Sequence, residues 1–166
     1  MNLRLVSGGP HVTRGIGAAL GRAAIGPLMI LLTGDYGTGK TTLVQGLARG
    51  LGIAEPVRSP SYNILKSYAT GRLMLVHADL YRTRSLADIG ELGIFEIMTP
   101  DGILAVEWPG SYLPPAADMP TLTVNMSMPP AVPGQEDASA SLRRIEFNWD
   151  DNCPGAVQEV LRALAA

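Results

Sequence analysis

Short apolar runs alternate along the chain with segments of helical periodicity. Residues 28–33, 73–79 and 103–107 are almost continuously apolar. Such runs are typical of strands buried on both faces of a parallel sheet. The last two runs end on the carboxylates Asp79 and Glu107. The pattern predicts an α/β fold with a mainly parallel central sheet and helices on both faces.

Four segments are predicted to be helices. The clearest runs from Lys40 to about residue 51, where leucines recur at every fourth position and form one apolar stripe. A short helix is expected from Thr13, as N-cap, to about residue 24, and another from Ser85 to about residue 92. The last is expected to begin near Pro154, with its buried face formed by Val157, Val160, Leu161 and Leu164.

The remaining strand signals are weaker. Residues 3–6 form an N-terminal strand candidate, and residues 57–69 are predicted to be a loop followed by a strand. Residues 121–126 and 142–149 alternate between apolar and polar side chains, which predicts antiparallel edge strands. Between them, residues 128–141 are rich in Pro, Ala, Gly and Ser, and we expect a mobile loop there. Residues 1–166 are interpreted as one domain.

Composition excludes several classes of protein. The chain has 46% hydrophobic residues but no long uninterrupted apolar segment, so no transmembrane helix is expected. Its net charge of −2 argues against broad electrostatic binding of nucleic acid by the chain on its own. Cys153 is the single cysteine, which rules out an internal disulfide and suits an ordinary buried thiol. We therefore expect a cytoplasmic protein.

A complete phosphate-binding motif, Gly34-x-x-x-x-Gly39-Lys40-Thr41, lies between the first buried strand and the helix that begins at Lys40, so the expected α/β fold is P-loop NTPase-like. Its glycines, Gly34 and Gly39, allow the backbone amides to approach phosphate oxygens at a helix N-terminus. Lys40 neutralises the outer phosphates, and the Thr41 hydroxyl suits Mg²⁺. The only other lysine is Lys66, so no Asn-Lys-x-Asp guanine motif exists, and ATP with Mg²⁺ is the favoured ligand.

The two strand-end acids are candidates for catalysis. Magnesium requires a carboxylate, and hydrolysis requires a group that orients water, so Asp79 and Glu107 are assigned to these tasks together with Lys40. A structural hydrogen bond is the alternative for either acid. The sequence does not decide which acid orients the water.

Other side chains near these strand ends have open roles. His77 is more simply a structural histidine than a catalytic one. Trp108 could stack on a base, cover the site or pack in the core. Arg82 could pair with phosphate or with an acid, and one of Arg143 and Arg144 could reach the nucleotide, although a solvated arginine is the simpler interpretation of either of these two taken singly.

Five sequence blocks in fixed order together resemble the TsaE family of small bacterial ATPases. The specific blocks are His-Ala-Asp-Leu-Tyr-Arg at 77–82 and Glu-Trp-Pro at 107–109. The others are the phosphate loop at 34–42, Ser-Pro-Ser-Tyr at 59–62, and the weaker Arg-Arg-Ile-Glu at 143–146. The resemblance covers about residues 13 to 147, most of the chain.

The resemblance implies an ATPase that acts in threonylcarbamoyladenosine modification of tRNA with the partner proteins TsaB and TsaD. TsaE-like proteins bind and hydrolyse ATP, and tRNA would be reached through the complex. At the matching positions the family implies Thr41 and Glu107 at Mg²⁺, and a switch-like loop at residues 59–62. It implies nucleotide contacts at Thr13, Gly37, Thr38, Gly39, Lys40, Thr41, Thr42, Asp79, Trp108 and Arg143.

The chain departs from the family pattern at two positions. Ser61 replaces a threonine in the switch block, and Tyr36 replaces a leucine in the phosphate loop. Two other functions stay open: a P-loop small-molecule kinase, although no arginine-rich lid segment is evident, and a nucleotide-gated adaptor in which Glu107 only holds Mg²⁺.

Overall fold

The computed structural model describes residues 1–60, 63–83, 93–94, 100–110, 113, 119–130 and 141–165. Within these ranges the chain forms strands and helices in the order β1 (Asn2–Ser7), α1 (Pro10–Ala23), β2 (Leu28–Thr33), α2 (Lys40–Gly50), β3 (Leu65–Tyr68), β4 (Leu75–Asp79), β5 (Ile103–Glu107), β6 (Thr121–Ser127), β7 (Arg143–Trp149) and α3 (Gly155–Ala165).

The strands form one seven-stranded sheet in the order β1-β7-β6-β2-β5-β4-β3. Strands β6, β2, β5 and β4 run parallel to one another, while β3, β7 and β1 join through antiparallel pairs. The predicted α/β fold with a mainly parallel centre is confirmed. Because β4 and β5 are parallel neighbours in register, Asp79 lies directly beside Glu107.

Residues 121–126 and 142–149 form strands that pair antiparallel with each other, but the prediction that they lie at the edges of the sheet was wrong. Strand β6 lies between β7 and β2 and is parallel to β2, and β7 lies between β1 and β6. The edges of the described sheet are β1 and β3. Alternation in β6 has another cause: Leu122, Val124 and Met126 enter the core beneath the helices, while the intervening residues are on the opposite face.

Two apolar clusters cover the two faces of the sheet. The larger contains residues of α1, α2 and α3 packed on one face. The smaller covers the other face at β2, β4 and β5, and includes Leu80, Ile94 and Leu113 from connecting segments. The helix predicted from Ser85 and most of the predicted 128–141 loop lie outside the described residues. None of the described helices is long and apolar enough to cross a bilayer.

Helix α1 begins earlier than predicted. Gly9 occupies the N-cap position and Pro10 starts the helix, where the fixed φ of proline is favourable. Thr13 is therefore not the N-cap but lies inside the helix, with its amide already bonded to Gly9 O. The buried Thr13 hydroxyl lies 2.8 Å from Ser7 Oγ, which ties α1 to the end of β1.

Helix α3 begins close to the predicted start, but its buried face is narrower than predicted. Val157 and Leu161 are fully buried, Val160 is half-buried, and Leu164 is exposed. The expected buried thiol is present just before this helix. Burial, with a contribution from Asp150, raises the pKa of Cys153 to about 11.

Helices α1 and α2 touch through their backbones. A Cβ atom built on Gly17 would lie 2.2 Å from Leu43 O, and one built on Gly46 would lie 2.2 Å from Arg14 O. Gly21 and Gly50, one turn further along each helix, have equally close neighbours across the crossing. Any side chain larger than hydrogen at these positions would force the helices apart. The glycines therefore fix the distance between α1 and α2.

Replacing Gly17 by alanine tests this crossing. We expect Gly17→Ala to lower the free energy of unfolding by roughly 1–3 kcal/mol, because the added methyl overpacks a backbone contact. Gly15→Ala is the matched control on the same helix, since a Cβ there meets no atom within 4 Å. It should raise stability by about 0.5–1 kcal/mol through helix propensity. Urea unfolding measures both, and equal stabilities for the two variants would contradict the crossing.

Candidate functional site

The loop between β2 and α2 has the backbone geometry of an anion-binding turn. Gly34, Gly37 and Gly39 have φ values of 120°, 75° and 100°, which residues other than glycine rarely adopt. A Cβ on Gly34 would also lie 1.9 Å from Met126 O on β6. Since Lys40 begins α2, the loop amides and the positive end of the helix are directed at the same place.

Lys40 is held inside this loop. Its Nζ donates hydrogen bonds to Gly34 O at 2.7 Å and to Asp35 O at 2.8 Å, and only 4% of the residue is exposed. Burial lowers the pKa of Lys40, whereas the carboxylates of Glu107, Asp79 and Asp35 oppose that shift. Further negative charge brought into the pocket would act in the same direction as these carboxylates. The ammonium is therefore suited to receiving an anion.

Thr41 and Glu107 meet opposite the loop. The Thr41 hydroxyl donates to Glu107 Oε1 at 2.8 Å, and His77 Nε2 lies 2.9 Å from the same oxygen. His77 and Glu107 are 0% and 3% exposed. The second ring nitrogen of His77 is buried and has no hydrogen-bond partner among the described residues. His77 is thus bonded to the site, not merely packed in the core.

Asp79 is anchored from two directions. Ser59 Oγ donates to Asp79 Oδ2 at 2.6 Å, and the Tyr81 amide donates to Oδ1 at 3.1 Å. The first of these bonds links the 59–60 segment to the end of β4. The predicted switch-like loop therefore contacts a site carboxylate, while Ser61 and the residue after it lie outside the described residues.

Trp108 covers the lysine. Its backbone has a positive φ of 57°, and Lys40 Nζ lies 3.8 Å from the centroid of its ring. Tyr81 also contacts the indole, with the Tyr81 and Trp108 ring centroids 5.1 Å apart and their planes at 59°. The indole is thus at the pocket wall as a cation–π partner, in agreement with the covering role and not the core role.

Two adjoining pockets share the phosphate loop. One, of about 300 Å³, is lined by Lys40, Thr41, Asp79, Glu107 and Trp108 among others. The second, of about 370 Å³, is lined by Pro10, Thr13, Gly37, Thr38, Gly39, Thr42, Ser141 and Arg143. Gly37, Gly39 and Thr42 line both. Because they share these three residues, the two pockets together form one candidate ligand site.

Every residue that the sequence assigned to nucleotide contact, magnesium or catalysis lines one or other of these pockets. Arg143 reaches across from β7, and its Nη2 donates to Gly37 O at 3.3 Å. Arg144 is exposed and lines neither pocket. Tyr36, one of the departures from the family pattern, is 89% exposed and lines the first pocket.

The oxygen donors suit magnesium. Within the described part of the chain, no cluster of three or more His, Cys, Asp or Glu residues could enclose a metal ion. Mg²⁺, however, is usually bound by one or two carboxylates plus phosphate oxygens and water. The Thr41 hydroxyl and the Glu107 carboxylate, 2.8 Å apart in the phosphate pocket, are donors of that kind. Asp79 supplies a second carboxylate in the same pocket.

Some contacts within the site were not predicted from the sequence. The bond of Ser59 to Asp79, and the lining of the second pocket by Pro10 and Ser141, were not predicted. The Ser-Pro block gave a signal for Ser59 only as part of a loop. The sequence contains no signal for Pro10 or Ser141. Their proximity to the phosphate loop depends on the order of the strands in the sheet, which local sequence patterns do not reveal.

Comparison with family models identifies one family. The model described as threonylcarbamoyl adenosine biosynthesis protein TsaE matches residues 9–130. That range includes the phosphate loop and both strand-end acids.

Individual relatives agree with that match. A protein named tRNA threonylcarbamoyladenosine biosynthesis protein TsaE from Treponema pallidum is 37% identical over 126 residues, which cover 76% of this chain and 90% of the relative. A protein of the same name from a Nostoc species is 43% identical over 99 residues, but the match spans only 61% of its length and 58% of this chain. The crystal structure of YdiB from Bacillus subtilis superposes with a TM-score of 0.71 at 28% identity, covering 98% of this chain and 95% of YdiB.

The contact between Lys40 and Trp108 provides a test of the site. Binding of Mg·ATP should change Trp108 fluorescence saturably, because phosphate would alter the charge beside the indole. The chain has two tryptophans, and Trp149 is buried at the far end of β7. Trp149→Phe should therefore retain the change and Trp108→Phe should lose it. A change that survives in Trp108→Phe would show that the nucleotide binds elsewhere.

Proposed function

This chain belongs to the TsaE family, and from that premise we propose that it binds and hydrolyses Mg·ATP as an accessory protein in threonylcarbamoyladenosine modification of tRNA. The named relatives support the pathway. The pockets around the phosphate loop support the nucleotide. We further propose that it acts with the TsaB and TsaD proteins and reaches tRNA through them.

One observation carries the ATPase proposal. The Thr41 hydroxyl, at the start of α2, lies 2.8 Å from the Glu107 carboxylate at the end of β5, beside the Lys40 ammonium. Phosphate-binding amides, a cation and hard oxygen donors are thus collected in one pocket. This set of groups serves to position a triphosphate and to offset its charge, which is most of what phosphoryl transfer requires.

Each residue has a proposed task. Lys40 binds the outer phosphates, and Thr41 with Glu107 binds the magnesium ion, which when bound neutralises charge that develops on the phosphate oxygens. Asp79 is proposed to lie near the γ-phosphate, where its hydrogen bond from Ser59 can report the state of that phosphate to the 59–60 segment. Asp79 or Glu107 orients the attacking water.

The nucleoside is proposed to bind in the second pocket, against Thr13, Thr42 and Arg143. Thr13 is fixed there by its bond to Ser7, and Arg143 by its bonds to Leu142 O and Gly37 O. Both side chains are therefore placed before a ligand arrives, which lowers the entropic cost of binding.

Substitution of the charged groups tests the ATPase proposal. Lys40→Ala should weaken Mg·ATP binding roughly 10- to 100-fold, since each hydrogen bond to a charged group is worth about 1.5–3 kcal/mol. Glu107→Gln and Asp79→Asn should fold normally. The variant that loses the water-orienting group should cleave ATP about 100-fold more slowly or worse in a single turnover.

Lys66→Ala is the control for Lys40, because Lys66 is the only other lysine and is exposed on β3. It should bind and cleave ATP like the parent. Parent-like cleavage by both Glu107→Gln and Asp79→Asn would remove the catalytic role and leave a nucleotide-gated adaptor. Phosphate recovered on a small-molecule acceptor instead of in solution would indicate a kinase.

Partner binding is tested separately. We expect retention of this protein on immobilised TsaB and TsaD to differ between ATP, ADP and no nucleotide, because the γ-phosphate sets the state of the site. We also expect slow hydrolysis by the protein alone that changes when both partners are added. Lys40→Ala should abolish the nucleotide dependence. Retention and turnover that ignore nucleotide and partners alike would refute the proposed role.

A further inference from the structure

The sequence interpretation gave His77 a structural role, and the proposed hydrolysis does not use it. Its ring nevertheless lies within hydrogen-bond distance of Glu107, in a fully buried position on β4. The register of the strands explains this contact: His77 pairs with Ala105, and Asp79 pairs with Glu107 two residues further along the same parallel strands. A side chain two residues before Asp79 shares its face of the sheet.

The hydrogen bonds at Glu107 are unequally divided between its two oxygens. Oε1 accepts from the Thr41 hydroxyl at 2.8 Å and lies 2.9 Å from His77 Nε2. No hydrogen bond among the described residues involves Oε2. An ionised carboxylate oxygen has about two acceptor positions. The two donors therefore fill Oε1 and leave Oε2 for another partner.

The surroundings of His77 determine which of its nitrogens carries the proton. Nδ1 is buried without a partner among the described residues. A proton there would be a buried N–H without an acceptor, which is costly, whereas a bare nitrogen without a donor is more easily tolerated. Nε2 faces a carboxylate oxygen, which can only accept. The hydrogen bond thus runs from Nε2–H to Glu107.

We propose that His77 is a positioning residue: with Thr41 it holds Oε1 of Glu107, so that Oε2 is presented to the magnesium ion of bound Mg·ATP. The inference rests on the proposed function. His77 touches neither nucleotide nor metal in this account. Its effect is on the orientation of a ligand, as the outer hydrogen-bond partners of metal ligands commonly have.

Two substitutions separate positioning from packing. His77→Leu removes the donor but keeps an apolar side chain of moderate size. His77→Gln places an amide N–H near the position of Nε2. Val76→Ala is the control, because Val76 is the neighbouring residue of the same strand, fully buried in the cluster on the opposite face. It disturbs β4 without approaching Glu107.

The measurement is ATP affinity at increasing MgCl₂, with ATP in EDTA as the metal-free reference. For His77→Leu we expect affinity in EDTA within about twofold of the parent, while the MgCl₂ concentration for half-maximal effect rises about 10-fold. His77→Gln should recover most of the loss, and Val76→Ala should keep the parent midpoint. A parent-like midpoint in His77→Leu overturns the proposal. So does an equal shift in Val76→Ala, or no recovery in folded His77→Gln.

A second measurement needs only the parent protein, in case His77→Leu does not fold. The chain contains two histidines, and His11 is exposed. Nitrogen-15 NMR of the imidazoles, assigned with His11→Gln, should show a protonated Nε2 and a bare Nδ1 for His77. A proton on Nδ1 alone overturns the proposal. If the parent shows no magnesium-dependent ATP binding at all, the proposed function fails, and the role of His77 fails with it.

Discussion

The arrangement of the rest of the site depends on the buried ammonium of Lys40. A cation removed from water needs compensation, and here it comes from two backbone carbonyls, the face of Trp108 and the nearby carboxylates Glu107 and Asp79. Those partners come from three different segments: the phosphate loop and the ends of β4 and β5. Because all three segments surround one buried charge, the ends of β4 and β5 have to lie close to the start of α2. Bringing a polyphosphate to such a place replaces internal partners with ligand oxygens and requires little rearrangement of the scaffold.

The sheet supplies this placement through simple geometry. Parallel strands present their carboxyl ends at one edge, and in-register pairing of β4 with β5 sets the two acids side by side. Gly34 lies at this same end of the strands, where its close approach to Met126 O joins the phosphate loop to β6. On the helical side, the glycine contacts between α1 and α2 hold Thr13 at a fixed distance from the loop. The position of the second pocket is therefore defined by the fold itself.

The sequence predicted the parts of this arrangement that depend on local signals. Apolar runs identified β2, β4 and β5, and the glycine motif identified the phosphate loop, because both follow from residue type and spacing. The order of the strands could not be predicted in this way. The alternation of apolar and polar residues in β6 was interpreted as a sign of an edge strand, but β6 is an inner strand whose two faces have different surroundings. Thr13 was misjudged as a cap because Pro10 was the stronger start signal. The bond between His77 and Glu107 depends on interstrand register, which periodicity within one strand cannot supply. The tasks assigned to Asp79, Glu107 and the magnesium ligands remain predictions.

The protected thiol of Cys153 has a practical consequence. Its burial, and a pKa near 11, keep it protonated and shielded from reagents at neutral pH. A cysteine introduced at an exposed position, such as that of Tyr36 at the tip of the phosphate loop, would then be the reactive one. A fluorophore or spin label could be attached there without first removing the native sulfur. The surroundings of this loop could thus be monitored in an otherwise unmodified molecule.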